Sequence, residues 1–380
     1  MAVVPAKLPA GFTPRIALAF QTVQPHLERV TRGILDFANQ SGGWHLSLNP
    51  EGAAVTLESL QSWDGDGILA MIETQEQADI ACKLSIPVVN LSARLPQTTL
   101  PSVSSDNWAI GKSAAEHLLE RGFRRCGFYG LANVWYSEER FRGFKETIEA
   151  AGGHVSALIT QSSLGSERPW DWDRASLENW LRSLNPHTGV MAVHDYRAQL
   201  LLETARRMGR IVPDEIAVIG VNNDPVACDG SIPALSSVPQ DGYQIGQQAA
   251  ELLTSLLTTP QIQTQQIHIA PLKVHARKST ETFGVDDPVL RSVLQEIEAR
   301  LHVSFGVDEL AAKVGFSRRW LEQLFSKHLL ISPHLYIVRR RVWAARQILT
   351  EEHAIKPAAL ARRCGFPSTR SLKAALSQIP

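Results

Sequence analysis

Residues 103–130 read VSSDNWAIGKSAAEHLLERGFRRCGFYG. Asp106 opens an amphipathic helix over 107–121, and an apolar strand follows at 125–129. The same alternation runs outward in both directions. Upstream lie the strand 15–20 (RIALAF) and a helix over 25–40, with Leu27, Val30, Ile34, Leu35 and Ala38 at helical spacing. Strand 67–72 (GILAMI), helix 76–84 and strand 86–91 (IPVVNL) come next. Downstream the spacing predicts helix 138–151, strand 154–159, helix 171–184, strand 189–193, helix 196–208, strand 216–221 and helix 243–257. Two β-like segments, 266–270 and 272–275, close the region. Repeated βα units predict parallel sheets covered by helices on both faces. The run is long for one open sheet, so the expected α/β architecture has two lobes, with a ligand cleft where strand ends meet.

The chain has 380 residues, which suggests two or three domains. Hydrophobic residues at 44% and charged residues at 20% are ordinary for a globular protein and argue against wholesale disorder. No apolar run reaches the ~18 residues of a membrane span. The start, MAVVPAKLPAGFTPR, lacks the basic and apolar regions of a secretory signal, so a cytoplasmic chain is expected. Cys82, Cys126, Cys228 and Cys364 are far apart and form no CxxC pair, which argues against a disulfide framework or a zinc finger. Neither a metal nor a cofactor is expected.

A polar stretch with Gly and Pro, RKSTETFGVDDP at 277–288, reads as a linker, and only helices are expected beyond it. The organisation expected is a tail at 1–13, an α/β domain at 14–278, a linker at 279–288 and an all-α domain at 289–380. The net charge of zero hides an asymmetry. Residues 310–380 hold 13 basic and three acidic residues, +10, so the remainder carries −10. A basic tail on an acidic body suggests that the tail meets a polyanion.

The tail carries two like units. In DELAAKVGFSRRWLEQLF, Leu310, Ala311 and Val314 pack one helix, Gly315 permits a tight turn and Ser317 can cap a second helix. Leu321, Leu324 and Phe325 anchor that second helix, which leaves Arg318, Arg319, Glu322, Gln323 and Lys327 on other faces. Arg can donate in fork geometry to guanine, Gln can read adenine and Glu can accept from cytosine. PAALARRCGFPSTRSLKAAL repeats the arrangement, with Gly365 at the turn and Thr369, Arg370 and Lys373 free. Two helix-turn-helix units joined by a long helix can address successive major grooves about 34 Å apart. The expected partner is double-stranded DNA; a bundle for protein contact is the plainer alternative.

In the body, four polar residues stand at strand ends or helix starts: Asp106, Arg140, Asp195 and Asn222. Such positions border the crevice of a parallel sheet, and carboxylates, amides and guanidinium groups suit sugar hydroxyls. Trp108, Trp135 and Tyr136 are candidates to cover apolar sugar faces. Each polar residue also has a plainer reading, Asp106 and Asp195 as helix caps and Arg140 as a surface charge.

Residues 14–278 resemble the periplasmic-binding-protein-like sensor of LacI/GalR-type regulators, through DGILAMI, the 103–130 stretch, ERFRGF, GVMAVHDYRA, VPDEIAVIGVNND and LSSVPQDGYQIGQQAAELL. The resemblance implies that Asp106, Arg140, Asp195 and Asn222 face an effector. Asn222 stands where that family usually has Asp, which keeps hydrogen bonding and removes a charge. From about Asp287 onward the chain resembles AraC-type DNA-binding domains. Carried over from that family, the base-facing positions are Arg319, Glu322 and Gln323 in the first unit and Thr369, Arg370 and Lys373 in the second, with Arg318 on a base or a phosphate. Arg339, Arg340 and Arg341 on the linking helix are read first as solvated or packing charges. Leu372 and Leu376 replace the usual Phe, and the closing helix is missing before Pro380, so a loosely packed second unit is expected.

A LacI-like sensor followed by an AraC-type tail is similar to the bacterial xylose operon regulators. The resemblance implies a dimeric activator of sugar-use genes, responsive to D-xylose or another pentose, with RNA polymerase as a further candidate partner. An α/β sugar-processing enzyme is the competing class. GxSxG, HExxH, P-loop and GxGxxG signatures are absent, and His194 beside Asp195 is read as cleft lining rather than an acid/base pair. A sensor whose degenerate tail binds a protein is the third reading.

Overall fold

The computed structural model describes residues 9, 11–21, 25–47, 55–96, 99–162, 169, 172–259, 265–329, 331–352 and 354–379. Most of the expected tail 1–13, and the first residue of the helix expected at 171–184, lie outside them. The chain forms two compact units, Met1–Thr282 and Phe283–Pro380.

The first unit contains two parallel sheets. One joins β1 (Arg15–Ala19), β2 (His45–Ser47), β3 (Gly67–Ala70), β4 (Val88–Asn90) and β5 (Ser102–Ser105). The other joins β6 (Arg125–Leu131), β7 (His154–Thr160), β8 (Thr188–Ala192), β9 (Ile216–Val221) and β10 (Ser236–Val238). The last strand, β11 (Gln266–Ile269), returns to the first sheet. The orders are β11-β5-β4-β3-β1-β2 and β10-β9-β8-β6-β7, with every strand pair parallel. The central strands β3, β8 and β9 are buried along their whole length, as helices on both faces require. The segment expected as a strand at 272–275 makes only one bridge, His275 to Ser237.

The helices of this unit are α1 (Pro25–Gln40), α2 (Gln75–Lys83), α3 (Asn107–Glu120), α4 (Trp135–Ala150), α5 (Arg174–Ser183), α6 (Asp195–Arg207), α7 (Pro225–Asp229) and α8 (Gly242–Thr258). Each lobe has one intimate helix pair. A Cβ on Gly111 of α3 would lie 2.0 Å from Arg140 O, and one on Gly143 of α4 would lie 2.1 Å from Trp108 O. In the other lobe, Gly33 of α1 and Gly246 of α8 make the equivalent approaches to Tyr243 O and Val30 O. Helix α3 shares its core with β6, β8 and β9, while α8 shares its core with β1 and β3. The chain therefore passes between lobes after β5, after β10 and after β11. The passes are bonded to one another: Asp106 N donates to Ile269 O (2.8 Å), Leu272 N to Pro239 O (3.0 Å) and Ser105 Oγ to Gln240 Oε1 (2.5 Å).

The second unit is all helical: α9 (Pro288–Ala299), α10 (Val307–Val314), α11 (Arg318–Leu329), α12 (Pro333–Glu351), α13 (Pro357–Arg363) and α14 (Thr369–Gln378). Leu310, Ala311, Leu321, Leu324 and Phe325 join α9 and α12 in one core. Leu360, Ala361, Cys364, Leu372 and Ala375 form a second core against α12, with Leu376 packed on its edge. The expected loose packing of the second unit is thus countered by a core of its own. Arg340 forks onto Glu298 at 2.6 and 2.9 Å, and Arg341 donates to Val303 O at 2.8 Å. Both arginines are buried and spend their charge on packing α12.

The polar stretch expected as a linker is not an exposed tether. Ser279 and Thr280 are fully buried in the first unit, and Phe283 and Val285 belong to the core of the second.

Gly315 and Gly365 both take left-handed conformations, with φ of 76° and 67°. At Gly315 a Cβ would meet open space, whereas at Gly365 it would lie 2.3 Å from Leu301 O and 2.6 Å from Val303 O. Gly315→Ala should cost about 1 kcal/mol, the backbone strain alone. Gly365→Ala should cost about 2–4 kcal/mol, because strain and a backbone clash add. Urea denaturation of the two variants checks this, and equal losses contradict it.

Candidate functional site

The cleft between the two sheets encloses about 960 Å³. Of the four polar residues singled out in this region, two line it and two do not. Arg140, on the buried face of α4, lines it. Its Nε donates to Asn107 Oδ1 (2.9 Å), its Nη1 donates to Val193 O (2.6 Å), and its guanidinium stacks 4.9 Å over Tyr136. Burial lowers its pKa to about 10, so it remains a cation at neutral pH. No carboxylate lies within ion-pair distance of it among the described residues.

Asn222, just beyond β9, also lines the cleft. Its φ is 107°, and the next residue, Asn223, has φ of 52°. Successive left-handed residues without glycine mark a strained loop, a feature concentrated at binding sites. The Asn222 amide accepts from Gln240 Nε2 (2.5 Å), and its carbonyl accepts from Arg29 of the other lobe (2.9 Å).

Asp106 and Asp195 are not among the residues that line the cleft. The Asp106 carboxylate caps α3 by accepting from Ala109 N (2.9 Å). Asp195 has no solvent exposure. Its Oδ1 accepts from Ser237 Oγ (2.7 Å) and its Oδ2 from Asp224 N (2.8 Å). It braces the loop that presents Asn222 rather than facing the cleft itself. The residue beside it, His194, does line the cleft. His194 Nδ1 accepts from Arg197 N (3.3 Å) as the cap of α6, which assigns the proton of the neutral ring to Nε2, a donor.

Further lining groups escaped the sequence reading: Asn107, Asp224, Gln240, His26 and Arg197. Asn107 and Asp224 each lie within two positions of a residue that was singled out, on the same strand-to-helix turns. Arg197 stacks 4.7 Å over Tyr129 and pairs with Asp173 at 3.3 Å, and Tyr129 donates to the same carboxylate at 2.5 Å. Of the three aromatic candidates only Tyr136 lines the cleft, while Trp108 donates to Glu146 at 2.7 Å and Trp135 is not among the lining residues. Across the mouth, Trp135 N donates to Arg94 O (2.9 Å) and Tyr136 N to Ala93 O (3.0 Å). The first lobe thereby caps α4, whose own N-cap, Val134, has no side chain for the task.

In the second unit, Arg318, Arg319, Glu322, Gln323, Arg370 and Lys373 are exposed and Thr369 is half-buried. Ser317 Oγ accepts from Trp320 N (3.2 Å), and Ser368 forms a capping box with Ser371. Arg318 bonds Glu322 at 2.9 Å and Asp308 at 3.0 Å.

Three family models match the chain. Residues 115–280 match the periplasmic binding protein-like domain, and residues 40–167 match the periplasmic binding proteins and sugar binding domain of the LacI family. Residues 310–379 match a helix-turn-helix domain. The xylose operon regulatory protein of Escherichia coli (strain K12) is 28% identical over 362 residues, 93% of this chain and 91% of that protein. The Haemophilus influenzae protein of the same name is also 28% identical, over 93% of this chain and 92% of its own length. The solved structure of the xylose-binding transcription activator xylR superposes with a TM-score of 0.63 at 26% identity, covering 97% of this chain and 96% of that one. The chain is a DNA-binding, sugar-responsive regulator. The matched families are regulators with sensor domains, not enzymes, and no helix among the described residues is long and apolar enough to cross a membrane.

The titratable groups around the regulator's cleft make its stability depend on pH. His26 falls to about 4, through burial and then Arg29, and His194 falls to about 3, through burial and then Arg197. Asp195 rises to about 6 through burial. A lowered histidine pKa gives stability that is lost as pH falls below the ordinary value; a raised carboxyl pKa gives stability that is lost as pH rises toward the folded value. Between pH 4 and 6 unfolding takes up two histidine protons and releases one from Asp195, so these groups make stability rise by about 1.4 kcal/mol per pH unit. Urea denaturation of the H26Q/H194N variant over this range should lower the slope by about 2.7 kcal/mol per unit. An unchanged slope contradicts the neutral-histidine assignment.

Proposed function

We propose that the cleft binds a neutral pentose, D-xylose or a close relative, and that binding changes how the helix-turn-helix units engage operator DNA. The full-length likeness to xylose operon regulatory proteins carries this reading. The cleft chemistry supports it: the Arg140 guanidinium and the neutral His194 ring offer donors, and Asn222 and Asp224 offer acceptors, on converging strand ends. Sugar hydroxyls both donate and accept, so such a set satisfies several at once. Asp106 and Asp195 act one step away, by fixing α3 and the loop before Asp224.

A pentose touching both lobes favours whichever lobe arrangement it binds more tightly, and can shift the equilibrium only by that difference. On DNA, Arg319, Glu322 and Gln323 read bases from α11, and Thr369, Arg370 and Lys373 from α14. Arg318 leaves its exposed acidic partners for a base or phosphate. Helix α12, 19 residues and about 28 Å long, spaces the two units at a distance compatible with one DNA turn once their offset is added. The regulator works in the cytoplasm as a dimer and activates sugar-use genes by placing RNA polymerase.

A thermal-shift panel of D-xylose, D-ribose, L-arabinose and hexoses tests the effector assignment. A pentose at 100 times its Kd should stabilise the chain by about 2.7 kcal/mol, and His194→Ala should weaken it at least tenfold. No shift with any pentose contradicts the assignment. Arg319→Ala should weaken the preferred DNA site by ~1–3 kcal/mol while sparing non-specific DNA. An equal loss on every sequence, measured by fluorescence anisotropy, would reduce Arg319 to a phosphate contact.

A further inference from the structure

We propose that Arg277 is the positioning residue that carries the state of the cleft to the point where the chain leaves the sensor. The inference rests on the pentose-sensor reading above. Asn222 and Asp224 line the cleft, but Asn223 between them does not. The Asn223 backbone is left-handed, and its side chain turns away from the cleft: Oδ1 accepts from Arg277 Nη1 at 2.8 Å. Any ligand that moves Asn222 or Asp224 must therefore move the group that Arg277 holds.

Arg277 is largely buried and committed at every donor named here. Nη1 also donates to Leu235 O (3.0 Å), Nε pairs with Asp229 (2.9 Å), and its backbone N donates to Ser236 Oγ (2.7 Å). Ser236 Oγ lies 2.7 Å from Thr280 Oγ1. Thr280 is itself gripped by Arg121 Nε on its carbonyl (2.9 Å) and by His117 Nε2 at its hydroxyl (2.9 Å). Ser279 Oγ donates to Val218 O of β9 (2.6 Å), and Thr282 Oγ1 donates to Asp214 (3.0 Å). The hydrogen bonds run from the cleft loop through Arg277 and Ser236 to Thr280, and Thr282 is held separately by Asp214.

Phe283 already belongs to the core of the DNA-binding unit. Two residues, Glu281 and Thr282, separate it from Thr280, and the three Cα–Cα steps reach at most about 11 Å. The polar composition of 277–282 is thus a buried hydrogen-bonded anchor, and Arg277 is its link to the loop that senses the ligand.

The test uses the full chain and the pentose from the thermal-shift panel that stabilises wild type, with D-xylose tried first. Asn223→Gly keeps the left-handed backbone and deletes only the acceptor of Arg277. Asn223→Asp restores an acceptor, and Arg277→Met removes the link from the other end. Sugar affinity is read by calorimetry, and DNA affinity by anisotropy with and without sugar. In Asn223→Gly and Arg277→Met, sugar affinity and sugar-free DNA affinity should stay within threefold of wild type, the sugar-induced change in DNA affinity should fall at least fivefold, and Asn223→Asp should recover it. If Arg277→Met does not fold, the two Asn223 variants decide alone. A full response in Asn223→Gly overturns the proposal. A parallel loss of sugar affinity and response overturns it too, since the residue would then serve binding. A wild type that answers to no pentose overturns the sensor reading and takes this proposal with it.

Discussion

Three chain passes between two parallel sheets, hydrogen-bonded to one another, set the terms for everything else in the sensor. Asp106 N on Ile269 O, Leu272 N on Pro239 O and Ser105 Oγ on Gln240 Oε1 tie the passes into one short hinge. Strand order then brings the ends of β8 and β9 against the ends of β1 and β3, and their turns become the cleft walls. Gln240 is on a pass and in the wall at once, since its amide reaches Asn222. A lobe movement cannot leave the wall unchanged. The same geometry returns the chain after β11 to the second lobe, where it leaves the sensor.

The architecture was legible because parallel strands covered on both faces must be apolar throughout, and GILA, TGVMA and IAVIGV are. The helix-turn-helix units were legible because a turn needs glycine at one place and a cap at another, and Gly315, Ser317, Gly365 and Ser368 supply them. Arg140, Asn222 and His194 line the cleft, whereas Asp106 and Asp195, expected to face an effector, do not. Past the end of β8 the chain turns into α6, and hydropathy does not say which of His194 and Asp195 borders the cleft. The geometry gives the wall to His194 and the brace to Asp195. The expected linker, 279–288, spans the boundary between the two units at Thr282/Phe283, but its composition does not show that Ser279 and Thr280 are buried. Ser279 and Thr280 look solvent-loving by composition, yet a hydroxyl whose hydrogen bonds are all satisfied can be buried at little cost.

Electrostatics sorts the basic tail into two populations. Arg340 and Arg341 are buried and consumed by Glu298 and by backbone carbonyls, so they hold α12 in place and are withdrawn from the account of DNA contacts. Arg318 pairs on the surface with Glu322 and Asp308. Exposed pairs of this kind are worth about 0–1 kcal/mol, so they hold Arg318 only weakly to Glu322 and Asp308. In the cleft the balance is different: among the described residues no carboxylate lies in ion-pair range of the buried Arg140, and the two histidines stay neutral, so the wall presents directed donors with little net charge from histidine.

The central claim is that a small sugar in the cleft and operator DNA on the tail are energetically coupled. The direct measurement selects a preferred DNA sequence from a random pool with the purified chain, then titrates that sequence with and without saturating pentose. Coupling free energies between sites are typically 1–3 kcal/mol, and the account predicts a change in DNA affinity of about 5- to 150-fold. An affinity unchanged by a sugar shown to occupy the cleft would contradict it.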